Sequence, residues 1–182
     1  MSSSPIPWAG FLVFLALLLG ERLFELRLAA RHLPSLRARG AVEFGAGHYP
    51  AVVLLHALFP IAILAEILAG ARPPHGWAWL LAPIALAEWL RAASIRTLKH
   101  RWHVRIWVLP GEKPVRTGIY RRLAHPNYLG VVIEMAALPL LFGAWRTALV
   151  ASAINAALLA IRIPAESRAL RWAGEQVGSA AR

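Results

Sequence analysis

The chain has 182 residues, 58% of them hydrophobic, with a formal charge of +11 and no cysteine. The apolar residues gather into long runs rather than recurring at a core-forming period, which excludes an ordinary water-soluble core and leaves no room for a further soluble domain. The positive charge lies between those runs, where it orients spans and meets anionic headgroups, so no nucleic-acid partner is expected; the lack of cysteine excludes disulfides, thiolate metal sites and a cysteine nucleophile.

The expected fold class is all-α: one polytopic membrane domain over residues 1–182, with about five transmembrane helices. The first span covers about residues 6–28, and no basic segment precedes its apolar run, so it reads as a retained span rather than a cleaved signal. Glu21, Arg22, Glu25 and Arg27 close it at spacings that allow helical pairing, which places that end at the headgroups. A polar stretch over 29–48 leads to the second span, about 49–69, and a tight loop with Pro73 and Pro74 follows.

The third span, about 77–95, starts with Trp77 and Trp79 as interfacial anchors. The polar section 96–125 then holds eight of the twenty basic side chains. Two short apolar helices, about 126–142 and 145–163, are joined by Gly143-Ala144 and form a helical hairpin, after which Pro164 marks the exit. Five spans put 29–48, 96–125 and the basic tail on one side, against Arg72 and Arg146 on the other. By the positive-inside rule the crowded side is cytoplasmic and the N-terminus outside.

The segment from Gly118 to Gly130, with Tyr120, Arg121, Arg122, His125, Pro126, Asn127 and Tyr128, puts a polar, basic, aromatic loop against the start of a span. An ordinary basic helix boundary accounts for the arginines and for Pro126, but not for His125, Asn127 and Tyr128 together. Glu66, Glu88 and Glu134 fall inside spans, where an unpaired charge is costly. Arg91 follows Glu88 by three residues, so the two can pair as a structural ion pair or meet a polar substrate. Glu66 has no basic partner in its span and reaches water near the span end.

Arg162 and Glu166 form a second pair four residues apart, on the hairpin partner of the helix that begins at Pro126. A pocket between the two motifs offers a guanidinium, a carboxylate and aromatic faces. Glu43-Phe44-Gly45-Ala46-Gly47 imitates part of a nucleotide-binding loop but lacks the strand–helix context such a loop needs. The histidines form no HExxH or paired carboxylate spacing, so no metal is expected. His103, beside Trp102, is either a solvated loop histidine or a general base.

Leu90-Arg91, Gly118-x-Tyr120, His125-Pro126-Asn127-Tyr128-x-Gly130 and the Arg162/Glu166 pair resemble the isoprenylcysteine carboxyl methyltransferase family, integral-membrane enzymes that use S-adenosylmethionine. Val108-Leu109-Pro110-Gly111, Arg162-Ile163-Pro164-x-Glu166 and Gly40-Ala41-Val42-Glu43-x-Gly45-x-x-His48-Tyr49-Pro50 are similar to a bacterial branch of it. That branch accompanies type III polyketide synthases and methylates alkylresorcinols or alkylpyrones.

The resemblance implies a cofactor-binding part over about 98–172, lined by Tyr120, His125, Pro126, Asn127 and Tyr128, with Arg162 and Glu166 on the cofactor's polar ends. It makes Arg91, with Glu88 beside it, the group that orients the substrate, His103 a candidate base, and membrane lipids the source of an amphiphilic substrate. It also implies a bacterial plasma-membrane location and a polyketide synthase as neighbour. Two departures stand out: Glu166-Ser167 replaces the family's frequent paired glutamates, and His103-Val104 replaces the branch's hydroxyl residues after the tryptophan.

The expected activity is S-adenosylmethionine-dependent O-methylation of an amphiphilic lipid or long-chain polyketide. Carboxyl methylation of a prenylated cysteine is the alternative within the class. A nicotinamide-dependent membrane reductase and a small proton-coupled transporter are the alternatives outside it.

Overall fold

A computed structural model describes residues 8–176. Five helices carry the chain: α1 (Trp8–Ala38), α2 (Tyr49–Leu68), α3 (Leu81–Leu98), α4 (Pro126–Leu141) and α5 (Trp145–Glu175). Three segments, Ala46–Leu68, Trp77–Arg101 and Trp145–Glu175, are long and apolar enough to cross a membrane, and Pro126–Leu141 is a shorter apolar helix. The first residues of the expected first span, before Trp8, lie outside the described residues, as does the tail beyond Gln176.

The helices pack through a core of Phe11, Leu55, Phe59, Ile63, Ile67, Met135, Leu138 and Phe142. Phe11, Phe14 and Phe142 meet ring to ring, with centroids 5.1–5.8 Å apart, an arrangement aromatic quadrupoles favour. The outside is also apolar: Leu12, Leu17, Phe24, Leu54, Leu58, Ile61, Trp89, Leu149 and Val150 are all exposed. A monomeric soluble protein rarely shows so large an apolar surface, whereas lipid tails cover it at no cost.

Two glycines set the closest approaches. A Cβ on Gly130 would stand 3.0 Å from the Ala87 carbonyl oxygen, so α4 lies directly on α3 there. Gly143 turns the α4–α5 hairpin at φ +75°, and a Cβ would run into the Arg72 backbone.

Several sequence expectations change. α1 runs ten residues past Leu28 and takes the start of the supposed polar stretch, Pro34 included, into the helix. Its Leu, Ala and Arg residues are good helix formers, and Ala29 and Leu36 are buried. α5 continues through Pro164 to Glu175 instead of ending there. The continuation is anchored by an alanine stripe, Ala165, Ala169 and Ala173, packed against Ile106 and Val108.

The fold is also not purely helical. Strands β1 (Val42–Phe44) and β2 (Ile106–Val108) pair antiparallel, with Val42 opposite Val108 and Phe44 opposite Ile106. Their β-branched and aromatic residues suit a half-covered ribbon, and the α5 extension supplies the cover. Glu43 and Phe44 of the imitation nucleotide loop are thus in a two-stranded antiparallel ribbon, not a parallel sheet. Glu66 does not simply reach water: it accepts hydrogen bonds from Thr147 N–H at 2.5 Å and Thr147 Oγ1 at 2.6 Å, and so caps the first turn of α5.

Candidate active site

A cavity of about 1080 Å³ runs between the helices under the ribbon, at the upper end of the ~300–1,000 Å³ usual for small-molecule sites. Arg91, His103, Tyr120, His125, Asn127, Tyr128, Arg162 and Glu166 all line it, so most of the residues singled out from the sequence share one space. Pro126 is buried at the start of α4 and fixes the direction in which the next two side chains leave. Glu88 does not line the cavity; its side chain is about half exposed.

At the ribbon end, α4 and α5 bring the two motifs together, though not as an Arg162–Glu166 pair. His125 Nδ1 lies 3.4 Å from Glu166 Oε2, and the His125 ring stacks on Tyr128 with centroids 5.3 Å apart. Arg162 spends its hydrogen bonds elsewhere: its Nε donates to the Tyr128 hydroxyl at 2.9 Å and its Nη2 to the Val104 carbonyl at 2.6 Å. The Glu166 carboxylate raises the His125 pKa above its ordinary value. Burial pushes Tyr120 up to about 12, so it stays a neutral hydroxyl.

His103 has both nitrogens constrained. Its Nδ1 accepts the Arg105 backbone N–H at 2.9 Å, which leaves the proton on Nε2. Burial, with Arg105 adding to it, pulls its pKa down to about 4. Two acceptors of the wall are under-satisfied: Asn127 Oδ1 is buried with no hydrogen-bond partner among the described residues, and the equally buried Glu166 Oε2 has His125 Nδ1 at 3.4 Å, too long for a good hydrogen bond. Such atoms are costly unless something that enters the cavity satisfies them.

The deep end is an ion cluster between α1, α3 and α4. Arg91, only 3% exposed, has Glu21 Oε1 2.7 Å from its Nε and Glu25 Oε1 3.0 Å from its Nη1, and it also contacts Glu134. Arg22 bridges Glu134 Oε1 at 2.6 Å and Glu25 Oε2 at 2.8 Å. Glu88, the partner expected from the sequence, is the most distant at 3.8 Å. The charged stretch in the middle of α1 therefore faces inward, with Glu21, Arg22 and Glu25 paired to Arg91 and Glu134. An arginine and a carboxylate this deep survive only when paired in this way.

Sequence reasoning missed Arg22, Glu25, His56 and Asn155, all of which line the cavity. The signal for His56 and Asn155 was a single polar side chain inside an apolar run. Leu19, Leu26 and Val53 line the cavity and are also exposed on the apolar exterior. The space therefore opens toward the lipid-like surface between α1 and α2.

A protein of Bacillus subtilis, YpbQ, is 36% identical over 163 residues, covering 88% of this chain and 96% of its own. A Haemophilus influenzae protein is 30% identical over 161 residues, covering 85% and 91%. Neither relative carries a name that states an activity, and no solved structure matches. The sequence profile of the isoprenylcysteine carboxyl methyltransferase (ICMT) family matches residues 79–172, the stretch that holds Arg91 and both ribbon-end motifs. The chain belongs to that family and is a membrane methyltransferase.

Proposed function

We propose that the protein is an S-adenosylmethionine-dependent O-methyltransferase acting on an amphiphilic lipid or long-chain polyketide of the alkylresorcinol or alkylpyrone kind. The observation that carries this reading is one cavity with two different linings: the under-satisfied acceptors Asn127 Oδ1 and Glu166 Oε2 at one end, and walls that open to the apolar exterior at Leu19, Leu26 and Val53. A polar cofactor needs the first and an alkyl chain the second.

Family membership and the donor set fit S-adenosylmethionine, which when bound supplies an electrophilic methyl group on a sulfonium. Tyr120, His125, Asn127 and Tyr128 would hold it from the start of α4 and the turn before it. Arg162 keeps Tyr128 in place, and Glu166 presents a carboxylate to the amine or ribose end. The cofactor-binding part spans about 98–172. His103, with its proton on Nε2, donates to the acceptor's headgroup rather than removing a proton from it. Arg91 acts through Glu25 and Glu134, holding the floor of the cavity in a fixed geometry.

In the same reading α1 and α4 also cross the bilayer, giving five spans in a bacterial plasma membrane, with the N-terminus outside and the active site facing the cytoplasm. The basic residues of 96–125 support that orientation. A polyketide synthase would then be the neighbour that delivers the acceptor.

Calorimetric titration of the detergent-purified protein with S-adenosylmethionine and S-adenosylhomocysteine, with reduced nicotinamide cofactor as control, tests the class. Saturable binding of the first two alone is expected. Folded protein that binds neither would refute the reading and return the reductase and transporter to consideration.

A further inference from the structure

We propose that His56 of α2 is the general base of this enzyme, and that its acceptor is a neutral, proton-bearing hydroxyl rather than a carboxylate; the proposal rests on the methyl-transfer reading above. The first ground is the tautomer. His56 Nδ1 lies 2.8 Å from the Val52 carbonyl oxygen, which can only accept, so Nδ1 carries the proton and the lone pair is on Nε2. His56 lines the cavity, and its second nitrogen is the one free to meet a guest. His103 has the opposite arrangement, its lone pair already occupied by the Arg105 N–H.

The second ground is charge. The groups around His56 are Arg22 of α1, Arg91 of α3 and Glu134 of α4. Arg22 is held by Glu25 and Glu134, and Arg91 by Glu21, Glu25 and Glu134, so neither guanidinium is left to receive an anionic headgroup. A carboxylate acceptor would find Arg91 already engaged. A neutral hydroxyl needs no guanidinium and brings the proton that Nε2 can take.

In the step itself the acceptor O–H bond breaks and its proton goes to His56 Nε2. The oxygen keeps that electron pair and uses it to form the bond to the methyl carbon. The carbon–sulfur pair stays on the sulfur of the donor, and the imidazolium returns its proton to water after product leaves. The geometry also assigns acceptors: a phenol, un-ionised near neutral pH, depends on His56, whereas an acidic hydroxypyrone that arrives already ionised does not.

The test is His56→Asn, whose side-chain amide keeps a donor for the Val52 carbonyl while removing the base. With a long-chain 5-alkylresorcinol as acceptor, methylation near neutral pH is expected to fall at least about 100-fold. Affinity for S-adenosylhomocysteine should stay at the wild-type value, and the 4-hydroxy-6-alkyl-2-pyrone rate should change by only a few-fold. The wild-type rate on the resorcinol should rise with pH through an ionisation absent from the variant. A variant with the wild-type rate and pH profile overturns the proposal.

Nitrogen-15 spectra of histidine-labelled wild type, without cofactor, give an answer even if the variant does not fold. A protonated Nδ1 and bare Nε2 at His56 are expected; the reverse tautomer, or a permanent imidazolium, overturns the assignment. Failure of the wild type to bind S-adenosylhomocysteine would instead strike the methyltransferase reading on which this one stands, so the two failures are distinguishable.

Discussion

His125 Nδ1 stands 3.4 Å from Glu166 Oε2 and thereby ties the first residue before α4 to the far half of α5. Because the carboxylate raises the folded-state pKa of His125, the contact stabilises the protein when the imidazole is charged. The contribution is complete below the unfolded pKa of about 6.5 and is lost as pH rises through the raised folded value. Thermal unfolding in detergent should therefore separate wild type from His125→Gln most clearly in mildly acidic buffer, with the gap closing in alkaline buffer. A gap independent of pH would show that the contact is not ionic.

The same pair lines the proposed cofactor pocket, so His125→Ala and Glu166→Ala should each weaken S-adenosylhomocysteine binding, by about tenfold or more if one charge-assisted hydrogen bond of ~1.5–3 kcal/mol is lost. Calorimetry on variants that retain the wild-type helical circular dichroism reads this directly. Unchanged affinity in both would displace the pocket from this end of the cavity.

Glu134 lies between Arg91 and Arg22, and its replacement takes a carboxylate from each and leaves them to share Glu21 and Glu25. Glu134→Gln is expected to cost about 3–5 kcal/mol, the usual penalty for breaking a buried pair from one side. Replacing Arg91 by Met in the same chain should return part of that loss, since it removes one of the two guanidiniums left underpaired. Unfolding midpoints of the two single variants and the double variant form the cycle; strict additivity would contradict a shared cluster.

Arg162 uses two different nitrogens for two partners, Nε to Tyr128 and Nη2 to Val104. Lysine keeps the charge but cannot hold both at once. Arg162→Lys should therefore loosen the segment between His103 and Arg105 and lower cofactor affinity, while moving the unfolding midpoint little. Amide exchange at Val104 and Arg105 would speed up in the variant, and exchange at wild-type rates would contradict the link.

At the other end of α5, Glu66 receives the Thr147 N–H and hydroxyl. Glu66→Ala removes this cap, with an expected cost of about 0.5–2 kcal/mol. Catalytic constants should stay the same, since Glu66 does not line the cavity.

The helical frame was legible because its signals are long: apolar runs, the Gly143 turn, and Pro126 opening α4. The polar motif over 118–130 likewise led to side chains that do share a cavity, because a short turn running straight into α4 keeps them close together in space. What the sequence hid depends on partners far apart in the chain. Val42 and Val108 pair across 66 positions, and neither three-residue strand carries enough periodicity to announce itself. Arg91 was read beside Glu88, its neighbour by helical spacing, whereas its nearer partners come from α1. Pro164 reads as a stop, but the alanine stripe beyond it has a ribbon to lean on and the helix continues.

That continuation makes α5 a single shaft of 31 residues, about 46 Å at 1.5 Å per residue against a hydrocarbon layer of about 30 Å. One end is pinned by the Glu66 cap and the other carries the ribbon that roofs the cavity. A shaft fixed at one end and loaded at the other is a lever. A bilayer of different thickness changes the tilt of its spans, and here a change of tilt displaces the roof relative to the cavity floor. Turnover measured in vesicles of graded acyl-chain length would register it, with membrane thickness acting on the enzyme much as a ligand acts elsewhere.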